Sequence, residues 1–270
     1  MPELPEVETI RRGLHDRLAG RTLHGAQRTS AVALRKPSPL PLEALSGATV
    51  RAVRRHAKVL FWDLDDGRTL VAHLGMTGKF LFAEAGAPRR GHTHLVVGLD
   101  DGELHFVDPR RFGWLALHDA DDPPRDVVHY GPDALDPALD AETLAALLER
   151  SRAPLKAFLL DQTKVAGLGN IYACEALWRA GLSPRRVARD TPRVRVALLL
   201  DSIRDVLVES LAQGGTSFND YVDSIGRPGE FLLQLAVFQR EGLPCPRCGD
   251  GVRRIVQAGR STFYCPSCQR

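Results

Sequence analysis

Apolar residues at Val7, Ile10, Leu14 and Leu18 recur every three or four positions, so an amphipathic helix with one core-facing stripe lies near the start of the chain. Pro5 suits the first turn of that helix, and Glu6 and Glu8 favour its positive end. From about residue 22 to 118 the period changes to short β-rich runs at 49–53, 59–64, 69–74, 79–82, 94–99, 103–107 and 114–118. Asp66-Gly67 and Asp101-Gly102 read as hairpin turns between such runs. A β-sandwich or barrel follows. Residues 119–137, with four prolines and six aspartates, read as an interdomain connection. Helical periodicity then returns at 141–149, 155–161, 171–180 and 194–212. The expected fold is α+β: an N-terminal helix and β-sandwich over 1–118, a connection over 119–140, a helical domain over 141–240 and a small C-terminal module over 241–270.

Composition adds compartment and capacity. With 270 residues, 44% of them hydrophobic, the chain can bury sizeable cores. No apolar run reaches membrane-spanning length and the start is acidic, so neither a transmembrane segment nor a signal peptide is expected, and the cytoplasm is the expected location. A net charge of +3 permits nucleic-acid binding without requiring it. The basic residues cluster at Arg51-Arg54-Arg55-Lys58, Arg89-Arg90, Arg110-Arg111, Arg185-Arg186 and Arg253-Arg254-Arg260. Any one of these alone is usually a solvated face. Only five of the 36 basic residues are lysines, which leaves few lysine nucleophiles to consider.

Four of the five cysteines form Cys245-x2-Cys248 and Cys265-x2-Cys268, separated by sixteen residues. Two such pairs turn four thiolates toward one ion and complete a closed tetrahedral site, so a single structural zinc is expected rather than disulfides. A unit this small cannot bury a core, and the metal replaces one. Between the pairs, 252–256 and 261–264 read as strands around Gln257-Ala258-Gly259-Arg260, a hairpin presenting a guanidinium suited to phosphate. Cys174, in an apolar helical stretch, reads as core.

Two further segments carry chemistry. Val165-Ala166-Gly167-Leu168-Gly169-Asn170 separates two helices; its glycines allow close backbone approach, Asn170 can cap the following helix, and such a turn is either a phosphate site or simple chain reversal. At the start, Met1-Pro2-Glu3-Leu4-Pro5-Glu6 either merely precedes a helix or is reactive. Removal of Met1 would expose the secondary amine of Pro2 beside Glu3. An α-amine titrates at roughly 7.7–8.0, low enough to be partly unprotonated near neutrality, and its adduct with an aldehyde-like carbon is an iminium that serves as an electron sink.

The combination of Pro2-Glu3-Leu4-Pro5-Glu6, a β-rich half, Gly167-Leu168-Gly169-Asn170-Ile171-Tyr172 between helices and a four-cysteine hairpin bearing Arg260 closely resembles the formamidopyrimidine-DNA glycosylases over nearly the whole chain. The resemblance implies a helix-two-turn-helix domain and a bifunctional repair enzyme, which removes oxidised purines from double-stranded DNA and cuts at abasic sites by β,δ-elimination. It implies that Pro2 attacks the sugar C1′, that Glu3 protonates the ring oxygen, and that Lys58 and Arg260 complete the catalytic set. His73, Lys156, Asn170 and Arg260 would contact DNA. Met76, Arg111 and Phe112 would fill the void left by the everted nucleotide, with Arg111 reading the orphaned cytosine, and Ser217, Phe218, Asn219 and Tyr221 would lie in the loop over the lesion. The zinc ligands would be Cys245, Cys248, Cys265 and Cys268, and the enzyme would act as a monomer away from membranes. One departure is Val237-Phe238-Gln239-Arg240, where many relatives have Tyr-Gly-Arg. The endonuclease VIII branch, specific for oxidised pyrimidines, and a noncatalytic zinc-dependent nucleic-acid binder remain alternatives.

Overall fold

The computed structural model describes residues 2–29, 38–122, 129–216, 226 and 229–270. The chain divides into two compact units, Met1–His129 with Gln213–Glu230, and Tyr130–Ala212 with Phe231–Arg270.

The first unit opens with helix α1, Leu4–Leu18. Its expected stripe of Val7, Ile10, Leu14 and Leu18 is at most 1% exposed. Among the described residues eight strands follow: β1 Ala26–Arg28, β2 Val50–His56, β3 Val59–Leu64, β4 Thr69–His73, β5 Lys79–Ala83, β6 Thr93–Leu99, β7 Gly102–Val107 and β8 Trp114–His118. They form two antiparallel four-stranded sheets, ordered β1-β6-β7-β5 and β2-β3-β4-β8. The sheets meet where the Trp62 ring of β3 lies 5.4 Å from Phe80 of β5, which in turn lies 5.0 Å from Phe106 of β7.

Several boundaries moved for identifiable reasons. Strand β2 runs on through Arg54, Arg55 and His56, because Arg54 pairs with Asp63 on β3 and Arg55 reaches Glu8 of α1. Asp66-Gly67 is a turn as expected, but the β6–β7 turn is Asp100-Asp101, with Gly102 already paired to Leu99. Gly102 answers a packing demand instead: a Cβ there would stand 2.4 Å from the Ala83 carbonyl oxygen.

The second unit contains α2 Ala141–Glu149, α3 Leu155–Leu160, α4 Asn170–Arg179 and α5 Arg193–Ala212, then the hairpin of β9 Arg253–Gln257 and β10 Arg260–Tyr264. Asp140 caps α2 by accepting from the Thr143 amide. Tyr172 on α4 is fully buried and its hydroxyl lies 2.6 Å from Ser210 Oγ on α5, which fixes the pairing of these two helices. The hairpin turn is Ala258-Gly259, both with positive φ (48° and 71°), the two-residue geometry that matches strand twist.

Helix α4 fastens the linking segment 236–238 through Glu175. This carboxylate is 1% exposed and accepts from the amides of Ala236, Val237 and Phe238 at 2.8–2.9 Å. Burial pushes the Glu175 carboxyl above the usual carboxylate range, against the pull of those three amides. The chain then turns at Gln239, which holds φ +58°, at the position where the resemblance had led to the expectation of a glycine. The turn survives the missing glycine at the expense of a left-handed conformation that disfavours a side chain by roughly 1–2 kcal/mol. Because Gln239 is exposed, Gln239→Gly should stabilise the protein by about 0.5–1 kcal/mol after the glycine's own entropy cost. Thermal unfolding should register this as a rise of about 1–3 °C.

Candidate active site and nucleic-acid interface

Pro2 and Glu3 lie just ahead of α1 and both are buried. Their placement depends on Glu6, itself 2% exposed. Glu6 Oε2 accepts from the Glu3 amide at 2.7 Å and Oε1 accepts from the Thr216 amide at 2.8 Å. One carboxylate thus pins the residue next to Pro2 and the root of the segment that follows residue 216. Further along α1, Glu8 accepts from Arg11, Arg12 and Arg55. Burial alone would raise its pKa, but these guanidiniums outweigh it and hold the carboxyl below its usual value. Arg55 also donates to the Ala57 carbonyl at 2.8 Å, bracing the turn between β2 and β3. Lys58, 8% exposed, sits in that turn.

Two loops of the same unit carry the other expected residues. His73 closes β4; its ring stacks on Trp114 at 5.9 Å, and Nδ1 accepts from the Gly75 amide at 3.0 Å, leaving the proton on Nε2. Met76 is half-buried, whereas Arg111 is exposed and Phe112 is 40% exposed with the Arg110 guanidinium 4.9 Å from its ring centroid. Phe112 is thus a large aromatic held out of the core. The expected residues Ser217, Phe218, Asn219 and Tyr221 lie outside the described residues.

In the second unit, Gln162 organises the glycine turn. Its Nε2 donates to the carbonyls of Leu160 and Leu168, and its Oε1 accepts from the Gly167 amide at 3.0 Å. Gly169, not Asn170, occupies the cap of α4, and Asn170 is the first helical residue. Its side chain is turned to other work: Oδ1 accepts from Lys156 Nζ at 2.6 Å and Nδ2 donates to the Ser261 carbonyl at 2.9 Å. Lys156 is fully buried, and its ammonium also donates to Thr262 Oγ1 at 2.7 Å and the Ser261 carbonyl at 3.2 Å. Lys156, Asn170 and the hairpin are thereby joined, with exposed Arg260 adjoining Ser261.

The four thiols of Cys245, Cys248, Cys265 and Cys268 lie within 4.8 Å of one another. A tetrahedral zinc with bonds of about 2.3 Å requires sulfur–sulfur edges of about 3.8 Å. Cys245 to Cys268 measures 3.9 Å and Cys248 to Cys265 measures 3.5 Å. Against its burial, Cys245 is brought down to about 6, chiefly by the Trp178 Nε1–H donated at 3.4 Å and by the amides of Arg247 and Cys248. Burial and the neighbouring thiols push Cys268 up to about 12. Four thiolates this close need a divalent cation among them, and the donor set fits zinc; bound there, it would crosslink the module.

Three family models match in order along the chain: the formamidopyrimidine-DNA glycosylase N-terminal domain over residues 1–115, its H2TH domain over 130–222, and the zinc finger found in FPG and IleRS over 242–270. The chain belongs to the formamidopyrimidine-DNA glycosylase family. The formamidopyrimidine-DNA glycosylase of Chelativorans sp. (strain BNC1) is 45% identical, with both chains fully covered. Among solved structures, the MutM (FPG) protein from Thermus thermophilus superposes with a TM-score of 0.88 at 41% identity, covering 99% of this chain and 98% of that one. A variant of Lactococcus lactis FPG in complex with Fapy-dG-containing DNA gives a TM-score of 0.91 at 34% identity, covering all of both chains. The full-length likeness to formamidopyrimidine-DNA glycosylases at 41–45% identity decides against the endonuclease VIII and noncatalytic alternatives.

Within the family frame, periodicity and spacing did not single out Gln162, Glu175 or Trp178. Each acts through partners distant in sequence or through backbone amides, and neither leaves a local pattern. Metal analysis of the purified protein should find one zinc per chain. Cys248→Ser should reduce zinc retention and DNA affinity by about tenfold or more, because the hairpin bearing Arg260 is held by the metal. Full DNA affinity in verifiably zinc-free protein would contradict that dependence.

Proposed function

We infer that Pro2, with Met1 removed, is the nucleophile of a bifunctional DNA glycosylase and abasic-site lyase acting on oxidised purines, chiefly 8-oxoguanine and ring-opened formamidopyrimidines. The observation that carries this is the buried Pro2-Glu3 start, fixed by Glu6, in a chain matched by the glycosylase family from end to end. The secondary amine attacks C1′ of the damaged nucleotide. The bond to the base breaks, the base leaves, and an iminium joins the sugar to Pro2. Glu3 protonates the ring oxygen as the sugar opens and assists the proton transfers of elimination. The iminium draws electrons from the sugar, so that the 3′ and then the 5′ phosphate depart.

Each unit brings its own phosphate contacts. Lys58 and His73 serve in the first, and Asn170 and Arg260 in the second. Everting a base leaves a hole whose stacking and pairing cost is a few kcal/mol. Met76 and Phe112 fill it and Arg111 meets the cytosine left behind. The resemblance further assigns contacts with the everted base to Ser217, Phe218, Asn219 and Tyr221. The enzyme works as a monomer on the chromosome, hence in the cytoplasm; among the described residues no helix is long and apolar enough to cross a membrane.

Lys156 serves DNA binding through Asn170 and the hairpin, since its buried ammonium already has three protein acceptors. Lys156→Met should weaken binding to abasic-analogue DNA by about tenfold while changing the slope of log K against log salt by far less than the ~0.9 expected for a lost phosphate contact. A slope reduced by a full contact would assign Lys156 to the DNA backbone.

Mass spectrometry should find Pro2 as the first residue, and borohydride should trap a covalent DNA adduct on the peptide that begins there. Pro2→Gly should retain some trapping through its primary amine, and a peptide left ahead of Pro2 should abolish it. Glu3→Gln should impair excision of 8-oxoguanine more than cleavage at a preformed abasic site, whose open aldehyde needs no ring protonation. Active enzyme with a blocked N-terminus, or an adduct on Lys58 alone, would rule the mechanism out.

A further inference from the structure

Asp108 is a fully buried carboxylate whose two oxygens face different loops. Oδ1 accepts from the Thr77 hydroxyl at 2.5 Å, and Oδ2 accepts from the Gly113 amide at 2.7 Å. Thr77, 5% exposed, belongs to the loop that carries Met76; Gly113 closes the loop that carries Arg111 and Phe112. The link runs both ways, because Thr77 Oγ1 in turn accepts from the Arg110 amide at 3.2 Å. Asp108 is itself immobilised: its amide donates to the His92 carbonyl at 3.0 Å, and its carbonyl accepts from His94 Nε2 at 2.9 Å and from the Arg111 amide at 3.3 Å.

The backbones of the two loops also interlock. A Cβ on Gly75 would lie 2.3 Å from the Phe112 carbonyl carbon and 2.4 Å from the Gly113 nitrogen, so only a glycine admits this approach. Gly113 is equally confined, with the His73 carbonyl oxygen 2.9 Å and Asp108 Oδ2 3.0 Å from where its Cβ would stand. Arg111, between them, holds φ +56°, a left-handed conformation that persists for a non-glycine residue only when its surroundings enforce it. Asp108 binds the amides of both Arg111 and Gly113, which encloses that residue.

We propose that Thr77 and Asp108 are positioning residues for lesion eversion: they lock the loop of Met76 to the loop of Arg111 and Phe112, so that the three side chains enter the DNA stack as one rigid wedge. This rests on the assignment of those three side chains as void fillers. A wedge delivers its side chains together only if its two loops cannot slide, and a fully buried, doubly accepting carboxylate is a stiff joint. The abasic substrate offers no base to evert, so it depends less on the joint.

Single-turnover rates on duplexes with 8-oxoguanine opposite cytosine and with a preformed abasic site would be compared for Thr77→Val, which keeps the shape and removes the hydroxyl, and Thr77→Ser, which restores it. Thr77→Val is expected to lose tenfold or more on 8-oxoguanine and no more than about threefold at the abasic site, with Thr77→Ser recovering most of the difference. A 2-aminopurine beside the lesion should show a reduced insertion signal in Thr77→Val, a readout that a mere loss of thermal stability would not give. Met76→Ala is the control for the underlying assignment. If Met76→Ala is selective and Thr77→Val is not, or if Thr77→Val loses equally on both substrates with a normal insertion signal, the locking role is wrong while the wedge stands. If Met76→Ala is itself unselective, the wedge assignment fails and the proposal falls with it.

Discussion

A charge withdrawn from water must be met by fixed dipoles or opposite charge, and removing one partner of a buried charge typically costs about 3–5 kcal/mol. Among the described residues, Glu6, Asp108, Lys156 and Glu175 satisfy this demand, the first three by joining segments that carry proposed functional residues or lead into them. Glu6 joins the Pro2-Glu3 start to Thr216. Asp108 joins the two loops of Met76 and Phe112. Lys156 joins Asn170 to the hairpin strand that begins with Arg260, and Glu175 gathers the amides of residues 236–238. The demand for partners therefore acts as a positioning device. A hydrophobic contact would tolerate sliding by an ångström; a carboxylate with two or three amide donors does not.

Helix α4 shows how such fixtures accumulate on one element. Asn170, Glu175 and Trp178 fall within a little over a third of the helical circumference, and they contact in turn the hairpin strand, the linking segment and the Cys245 sulfur. The Arg247 guanidinium covers the outer face of the Trp178 ring at 4.5 Å and donates to the Arg179 carbonyl at the helix end. A zinc module with no core of its own is thereby registered on a helix that does have one. A metal some distance along the module can therefore bear on the phosphate contact proposed for Arg260 without touching DNA.

Much of this was legible in the sequence wherever the signal is local. Alternation located the strands, the 3.6 period located α1 and the later helices, and the spacing of the cysteine pairs announced the tetrahedral cluster. Partners separated by tens or hundreds of residues were not legible. Glu6 and Thr216 lie 210 positions apart, and Lys156 and Thr262 lie 106 apart. A buried carboxylate read from sequence looks like any acidic residue near a helix start or a turn. Strand β1 has only three residues and offers no period to detect. The Asn170 side chain was expected to cap its helix because local geometry favours that; the buried Lys156 ammonium is a stronger partner, and Gly169 takes the cap instead.

Backbone strain points to the same places independently. Among the described residues, five other than glycine have positive φ: Ala57, His92, Arg111, Gln239 and Ala258. Ala57 immediately precedes Lys58, Arg111 lies in one of the two loops joined by Asp108, and Ala258 stands two residues before Arg260. Gln239 follows the segment held by Glu175, and the His92 carbonyl anchors the Asp108 amide. Each such residue costs on the order of 1–2 kcal/mol, so a fold selected for stability alone would place glycine or asparagine at these turns. Three of the five, Ala57, Arg111 and Ala258, instead fall at or within two residues of a proposed DNA-contacting or void-filling side chain. Strain and desolvated charge thus meet most closely at Arg111, whose amide and that of Gly113 are both held by Asp108.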